Sequence, residues 1–213
     1  PKEFERVSGR PTRLRFRLDG HDASWRDLPG SGRMLLHFND ADGVMVGTES
    51  VIMAGDTPGW RGSIGGSDFQ AYELSAVAPP AAATVAISFL SHNAEQVVGC
   101  LGVDEIVVRR TRDSTAPVDR RLTPLDLGDP NGPPATTPVG WHRPGTQPSM
   151  CSVQIRERPV PHGVLTIIDD DPTRFGNWAT SRPIDLDIHP GDRVTVSWTC
   201  LLYTSPSPRD QRG

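Results

Sequence analysis

Residues 184–198, Ile184-Asp-Leu-Asp-Ile-His-Pro-Gly-Asp-Arg-Val-Thr-Val-Ser-Trp198, decide the fold class. Ile184, Leu186 and Ile188 alternate with Asp185 and Asp187. His189-Pro190-Gly191-Asp192 then carries turn chemistry, and Val194, Val196 and Trp198 resume the alternation. A period of two is the signature of a half-buried strand, one face in the core and the other in solvent. Two such stretches joined by a Pro-Gly turn predict antiparallel β structure.

The same period recurs outward along the chain. Leu14, Phe16 and Leu18 alternate with Arg13, Arg15 and Arg17. Met34, Leu36 and Phe38 face inward before Asn39-Asp40-Ala41-Asp42-Gly43, and Val44–Val46 resumes the apolar pattern, which predicts a hairpin. Val85, Ile87 and Phe89 form another alternating strand after Pro79-Pro80. Leu101–Val108, Val153–Ile155 and Val164–Ile168 complete the set. With 21 Gly and 21 Pro in 213 residues and no helical periodicity, the expected fold is an all-β antiparallel β-sandwich of short strands.

Leu101 and Val103 have one parity in their strand, and Ile106 and Val108 the other. A bulge at Asp104-Glu105 reconciles them and re-aims a carboxylate. Residues 111–137, rich in Pro, Thr, Asp and Gly, are expected to be a linker. It separates residues 1–110 from residues 138–199, and Pro190–Trp198 partly repeats Ser8–Phe16. The pieces are therefore expected to be the back of one module and the front of a second tandem module. They are also expected to complement each other, with Ile184, Leu186, Val194 and Val196 packed against the sheet holding Leu14, Phe16, Ile87 and Phe89.

An ordered set of residues resembles the carbohydrate-binding, galactose-binding-like β-sandwich (jelly-roll) modules. It runs from Gly9–Phe16 through Leu36–Gly43, Gly59-Trp60-Arg61 and Val77–Phe89 to Gly102–Val107. This resemblance covers about the first half of the chain. It implies a non-catalytic carbohydrate-binding module of a larger secreted polysaccharide-acting protein, extracellular or on a bacterial cell surface. The implied partners are a polysaccharide or glycan and the neighbouring domains of the full-length chain. The resemblance also implies a structural calcium at Asp104. The tail Cys200–Asp210 resembles a translated sequencing adapter, so residues 200–213 are expected to be non-native, to come from a metagenomic fragment truncated at both ends, and to make few contacts.

Tryptophan offers a flat apolar face to a sugar ring, so Trp60 with Arg61, and Trp178, are the candidate carbohydrate-binding residues. The competing reading for each Trp is the sandwich core. Asp169-Asp170-Asp171 reads either as a solvated turn or as a cation or catalytic carboxylate site. On the latter reading the chain is part of a glycosidase or lyase catalytic domain; a third reading is a structural spacer sandwich. The Arg13/Arg15/Arg17 stripe reads as a solvated face or as a grip for an acidic polysaccharide. A net charge of −4 gives no reason to expect nucleic acid, and no apolar stretch is long enough for a membrane helix. No expected catalytic residue emerges. Cys100, Cys151 and Cys200 form no zinc spacing, and a Cys100–Cys151 bridge is the one pairing the sequence suggests.

Overall fold

The computed structural model describes residues 31–54, 69–91, 99–113, 115–122, 140–144, 151–156, 162–169 and 176–203. Among these there are eleven strands and no helix: β1 Ser31–Asn39, β2 Met45–Ala54, β3 Gln70–Val77, β4 Thr84–Ser91, β5 Gly99–Thr111, β6 Val118–Leu122, β7 Trp141–His142, β8 Cys151–Arg156, β9 His162–Asp169, β10 Gly176–Thr180 and β11 Arg193–Tyr203. They form two antiparallel sheets. The first runs β2-β1-β4-β10-β7. The second runs β3-β11-β5-β9-β8, with β6 also paired to β5. The fold is a β-sandwich.

Alternation explains which face each strand buries. Met34, Leu36 and Phe38 of β1 and Val85, Ile87 and Phe89 of β4 are fully buried, as are Val194, Val196 and Trp198 of β11. They meet in one core between the sheets. Phe89 of the first sheet stands edge-on to Trp198 of the second, 5.7 Å between ring centroids. Two indoles also bridge the layers: Trp178 donates Nε1–H to Thr166 O at 2.9 Å, and Trp198 donates to Met53 Sδ at 3.3 Å. A Cβ at Gly176 would run into Ile167 of the facing sheet, so only glycine allows that approach.

Both sheets draw strands from both sides of segment 111–137, and β11 lies between β3 and β5. The expected packing of Val194 and Val196 with Ile87 and Phe89 is therefore present, within one composite sandwich. Leu14 and Phe16 lie outside the described residues. The β1–β2 hairpin forms as the sequence predicts. Asp40 Oδ1 closes its loop by accepting from the backbone amides of Asp42 and Val44.

Four expectations are corrected. Ile184, Leu186 and Ile188 are buried and alternate with exposed aspartates, but this stretch is not a strand. Only Ile184 forms a bridge, to Val85, while Asp187 takes φ +48° and gives its carbonyl to Arg110 and Arg112. Within the expected linker, Val118–Leu122 is a strand. Val118 and Leu122 pack on the core, and the backbone pairs with Ile106–Arg110. The expectation that the tail makes few contacts fails for its described residues, 200–203. Cys200, Leu201 and Leu202 are completely or almost completely buried, and β11 continues to Tyr203 against Cys100. Cys200 and Leu202 keep the strand period of Trp198 and join the inter-sheet core, whereas Leu201 points to the other face and packs with Val164, Phe69 and Cys100. The cysteines are all free thiols, so no Cys100–Cys151 bridge forms.

Candidate functional site

The bulge on β5 controls the second sheet. Ser197 pairs with Val107 and Thr199 with Asp104, so two residues, Glu105 and Ile106, stand opposite Trp198 alone. Glu105 takes φ +51°, the left-handed conformation of a bulge residue. The extra residue resets the parity, and Leu101, Val103, Ile106 and Val108 all reach the core. It also leaves Val107 and Arg109 on the outward face, in register with Ser197 and Thr195.

That outward face is polar and open where the start of β11 meets β3, the end of β5 and β6, while toward the end of β11 Leu201 and Val164 form a small apolar cluster with Phe69 and Cys100. One row across it reads Ser75, Thr195, Arg109, Asp119, and the next reads Glu73, Ser197, Val107, Arg121. Arg193 lies two residues before Thr195 on the same face. Glu73, Arg109, Asp119, Arg121 and Arg193 are exposed. Ser75 and Thr195 share a 3.0 Å hydrogen bond between hydroxyls. Arg109 donates Nε and Nη2 to the two oxygens of Asp119, both at 2.8 Å. Those hydrogen bonds, with the charge of Arg109, hold the Asp119 carboxyl below its ordinary value. They raise the Arg109 guanidinium, with a further contribution from the charge of Glu73. The face therefore offers hydroxyls, carboxylates and guanidiniums on a rigid ladder, the donor and acceptor set that bonds a polyhydroxylated ligand.

Of the residues singled out in the sequence, those that are described fall elsewhere. Trp60, Arg61 and Arg13/Arg15/Arg17 lie outside the described residues, as do Asp170 and Asp171. Trp178 is a core residue with no exposed surface and an indole N–H bonded to the facing sheet, so it presents no face to a sugar. Trp141 and Trp198 are core residues as well. The apolar body of each indole fills the space between sheets, which outweighs the polar neighbours that made Trp178 look accessible in sequence.

Asp104 is buried beside the bulge on the outward side of β5. Its Oδ1 accepts from the Glu105 amide at 2.8 Å, and its Oδ2 accepts from Arg156 Nη1 at 2.9 Å. The Arg156 guanidinium in turn lies over the Phe69 ring, 4.1 Å from its centroid. Calcium requires six to eight oxygen ligands and net negative charge. Among the described residues no group of three or more His, Cys, Asp or Glu side chains converges, and this carboxylate already faces a cation. The residues described around Asp104 do not fit calcium.

Sequence reasoning passed over Arg109, Asp119, Arg121 and Arg193. The parity of Val107–Thr111 beyond the bulge held the signal for Arg109, but bringing Asp119, Arg121 and Arg193 beside it depends on the register of β6 and β11 with β5. No protein-family model matches the chain, and no curated protein or solved structure matches it either.

Proposed function

We propose that the chain is a non-catalytic carbohydrate-binding module of a larger, secreted polysaccharide-acting protein, with a glycan as its ligand. The observation that carries this reading is the open face of the second sheet. There Ser75, Thr195 and Ser197 lie among Glu73, Arg109, Asp119, Arg121 and Arg193 on paired strands. Planar charged groups bond adjacent sugar hydroxyls two at a time, and a rigid ladder loses little entropy on binding. Trp60 and Arg61, outside the described residues, remain the proposed stacking pair for the sugar ring.

A spacer sandwich is the second reading. It is favoured by the burial of Trp141, Trp178 and Trp198, which leaves no tryptophan on the open face among the described residues. Glycan-array binding of the full chain separates the two. Retention of at least one polysaccharide class, weakened by Ser197→Arg on the open face, supports the module. Absence of binding to every glycan, with the chain folded by circular dichroism, supports the spacer.

A further inference from the structure

Arg193, Arg109 and Arg121 lie on a straight diagonal across the open face. Arg193 pairs with Thr111, Arg109 pairs with Thr195 and Asp119, and Arg121 pairs with Val107. Each step from one arginine to the next therefore moves one strand across and two residues along. With strands about 4.8 Å apart and a rise of about 3.4 Å per residue, each step is roughly 8 Å between backbone positions.

The charges along this line are unequal in their commitments. Arg109 gives Nε and Nη2 to Asp119 and keeps Nη1 for another acceptor. Arg121 and Arg193 are exposed and form no ion pair among the described residues. By contrast, Arg110, Arg112, Arg120 and Arg156 are paired with Asp187, Asp192, Asp185 and Asp104. Two guanidiniums without an ion pair among the described residues thus flank a third that is braced by Asp119, whose carboxyl the Arg121 charge also lowers, on a face that carries the hydroxyls of Ser75, Thr195 and Ser197 and the Glu73 carboxylate.

We infer that this diagonal binds a linear anionic polysaccharide, with carboxylate or sulfate groups on Arg193 and Arg121 and sugar hydroxyls on Thr195 and Ser197. The inference rests on the carbohydrate-binding reading and names its ligand class. Guanidinium is suited to both anions because its fork matches their paired oxygens. Nucleic acid fits less well. The chain carries net negative charge, and Phe69, the aromatic residue described on the outward side of this sheet, already has the Arg156 guanidinium over its ring, 4.1 Å from the centroid.

The test is affinity electrophoresis of the full chain in gels containing polygalacturonate, dextran sulfate, neutral dextran or double-stranded DNA. Retardation is expected in polygalacturonate or dextran sulfate, and the gel that retards identifies carboxylate or sulfate. It should fall about tenfold or more in Arg121→Gln/Arg193→Gln, since hydrogen bonds to charged groups are the strong ones. It should also weaken in 0.5 M salt, with screening lengths reduced to about 4 Å. Arg182→Gln, an exposed arginine outside this face, should leave it unchanged. No retardation by either polyanion, equal retardation by DNA, or an unaffected double variant overturns the inference. If neutral glycans bind while polyanions do not, only the ligand class fails. If no glycan binds, the carbohydrate-binding reading fails with it.

Discussion

Arg112 holds Asp192 through two parallel hydrogen bonds, Nε to Oδ1 at 2.7 Å and Nη2 to Oδ2 at 2.9 Å. This pair ties the end of β5 to the turn that opens β11, the two strands that run side by side through the second sheet. Asp192 Oδ2 also accepts from the His189 amide at 2.8 Å. The turn itself is built for this. Gly191 takes φ +90° after Pro190, and the Asp192 amide donates to His189 O.

Burial pushes the Asp192 carboxyl up, but the bonds from Arg112 and His189, with the charges of Arg112 and Arg110, outweigh it and hold the group below its ordinary value. A depressed carboxyl stabilises the fold above its unfolded pKa and loses that contribution as pH falls through the folded value. Asp192→Asn should therefore lower the urea midpoint at pH 7, and the gap from wild type should narrow below about pH 4. A gap that stays constant down to pH 2 would show that the ion pair contributes nothing.

His37 titrates in a separate window. It lies on the outward side of β1 with Nδ1 3.3 Å from Thr48 Oγ1 and Nε2 3.0 Å from Ser88 Oγ. Burial lowers its pKa, so the folded chain favours the neutral ring. That preference is fully present above the unfolded value near 6.5 and is lost as pH falls below it. Thermal denaturation from pH 7.5 to 5 should show wild type losing stability while His37→Gln changes less. Parallel curves for the two proteins would contradict this assignment.

The Pro79–Ala82 turn carries a local strain that a substitution can remove. Ala81 takes φ +70°, and the Ala82 amide donates to Pro79 O at 3.1 Å. The left-handed conformation costs an L-residue about 1–2 kcal/mol, which exceeds the entropic cost of glycine of roughly 0.5–1 kcal/mol. Ala81→Gly is expected to stabilise by about 0.5 kcal/mol on those figures. Chemical denaturation measures it, and a loss of stability would mean that this turn does not hold the left-handed conformation.

Trp178→Phe keeps an aromatic ring between the sheets and removes the donor to Thr166 O. Leaving a buried carbonyl without its partner costs about 1–3 kcal/mol, so a loss of about 2 kcal/mol is expected. Glycan binding should change no more than stability does, because this indole has no exposed surface. A selective loss of binding at unchanged stability would return Trp178 to the ligand site.

How legible this was depended on what each residue's period could encode. Met34–Phe38, Val85–Phe89 and Val194–Trp198 were legible because alternation specifies a strand and its buried face together. The parity conflict at Asp104-Glu105 located the bulge for the same reason. Ile184–Ile188 showed the limit. Alternation recorded which side chains are buried, whereas the ladder is interrupted where the Asp187 carbonyl turns to Arg110 and Arg112. Val118–Leu122 was hidden because two flanking apolar residues carry too little period for a strand. Trp178 was ambiguous because an indole serves a core or a ligand face equally well in sequence. The arginine diagonal depends on register between β11, β5 and β6, which are far apart in the chain, and local pattern does not encode register.

The composite sandwich underlies both the core and the arginine diagonal, since β11 must lie between β3 and β5 for either to exist. Nuclear Overhauser contacts across β11 test this most directly. The account predicts cross-strand backbone contacts from Thr195 to both Ser75 and Arg109, and side-chain contacts between Trp198 and Phe89. A folded chain in which Thr195 shows neither backbone contact, with residues 31–122 and 141–203 giving only internal contacts, would contradict it.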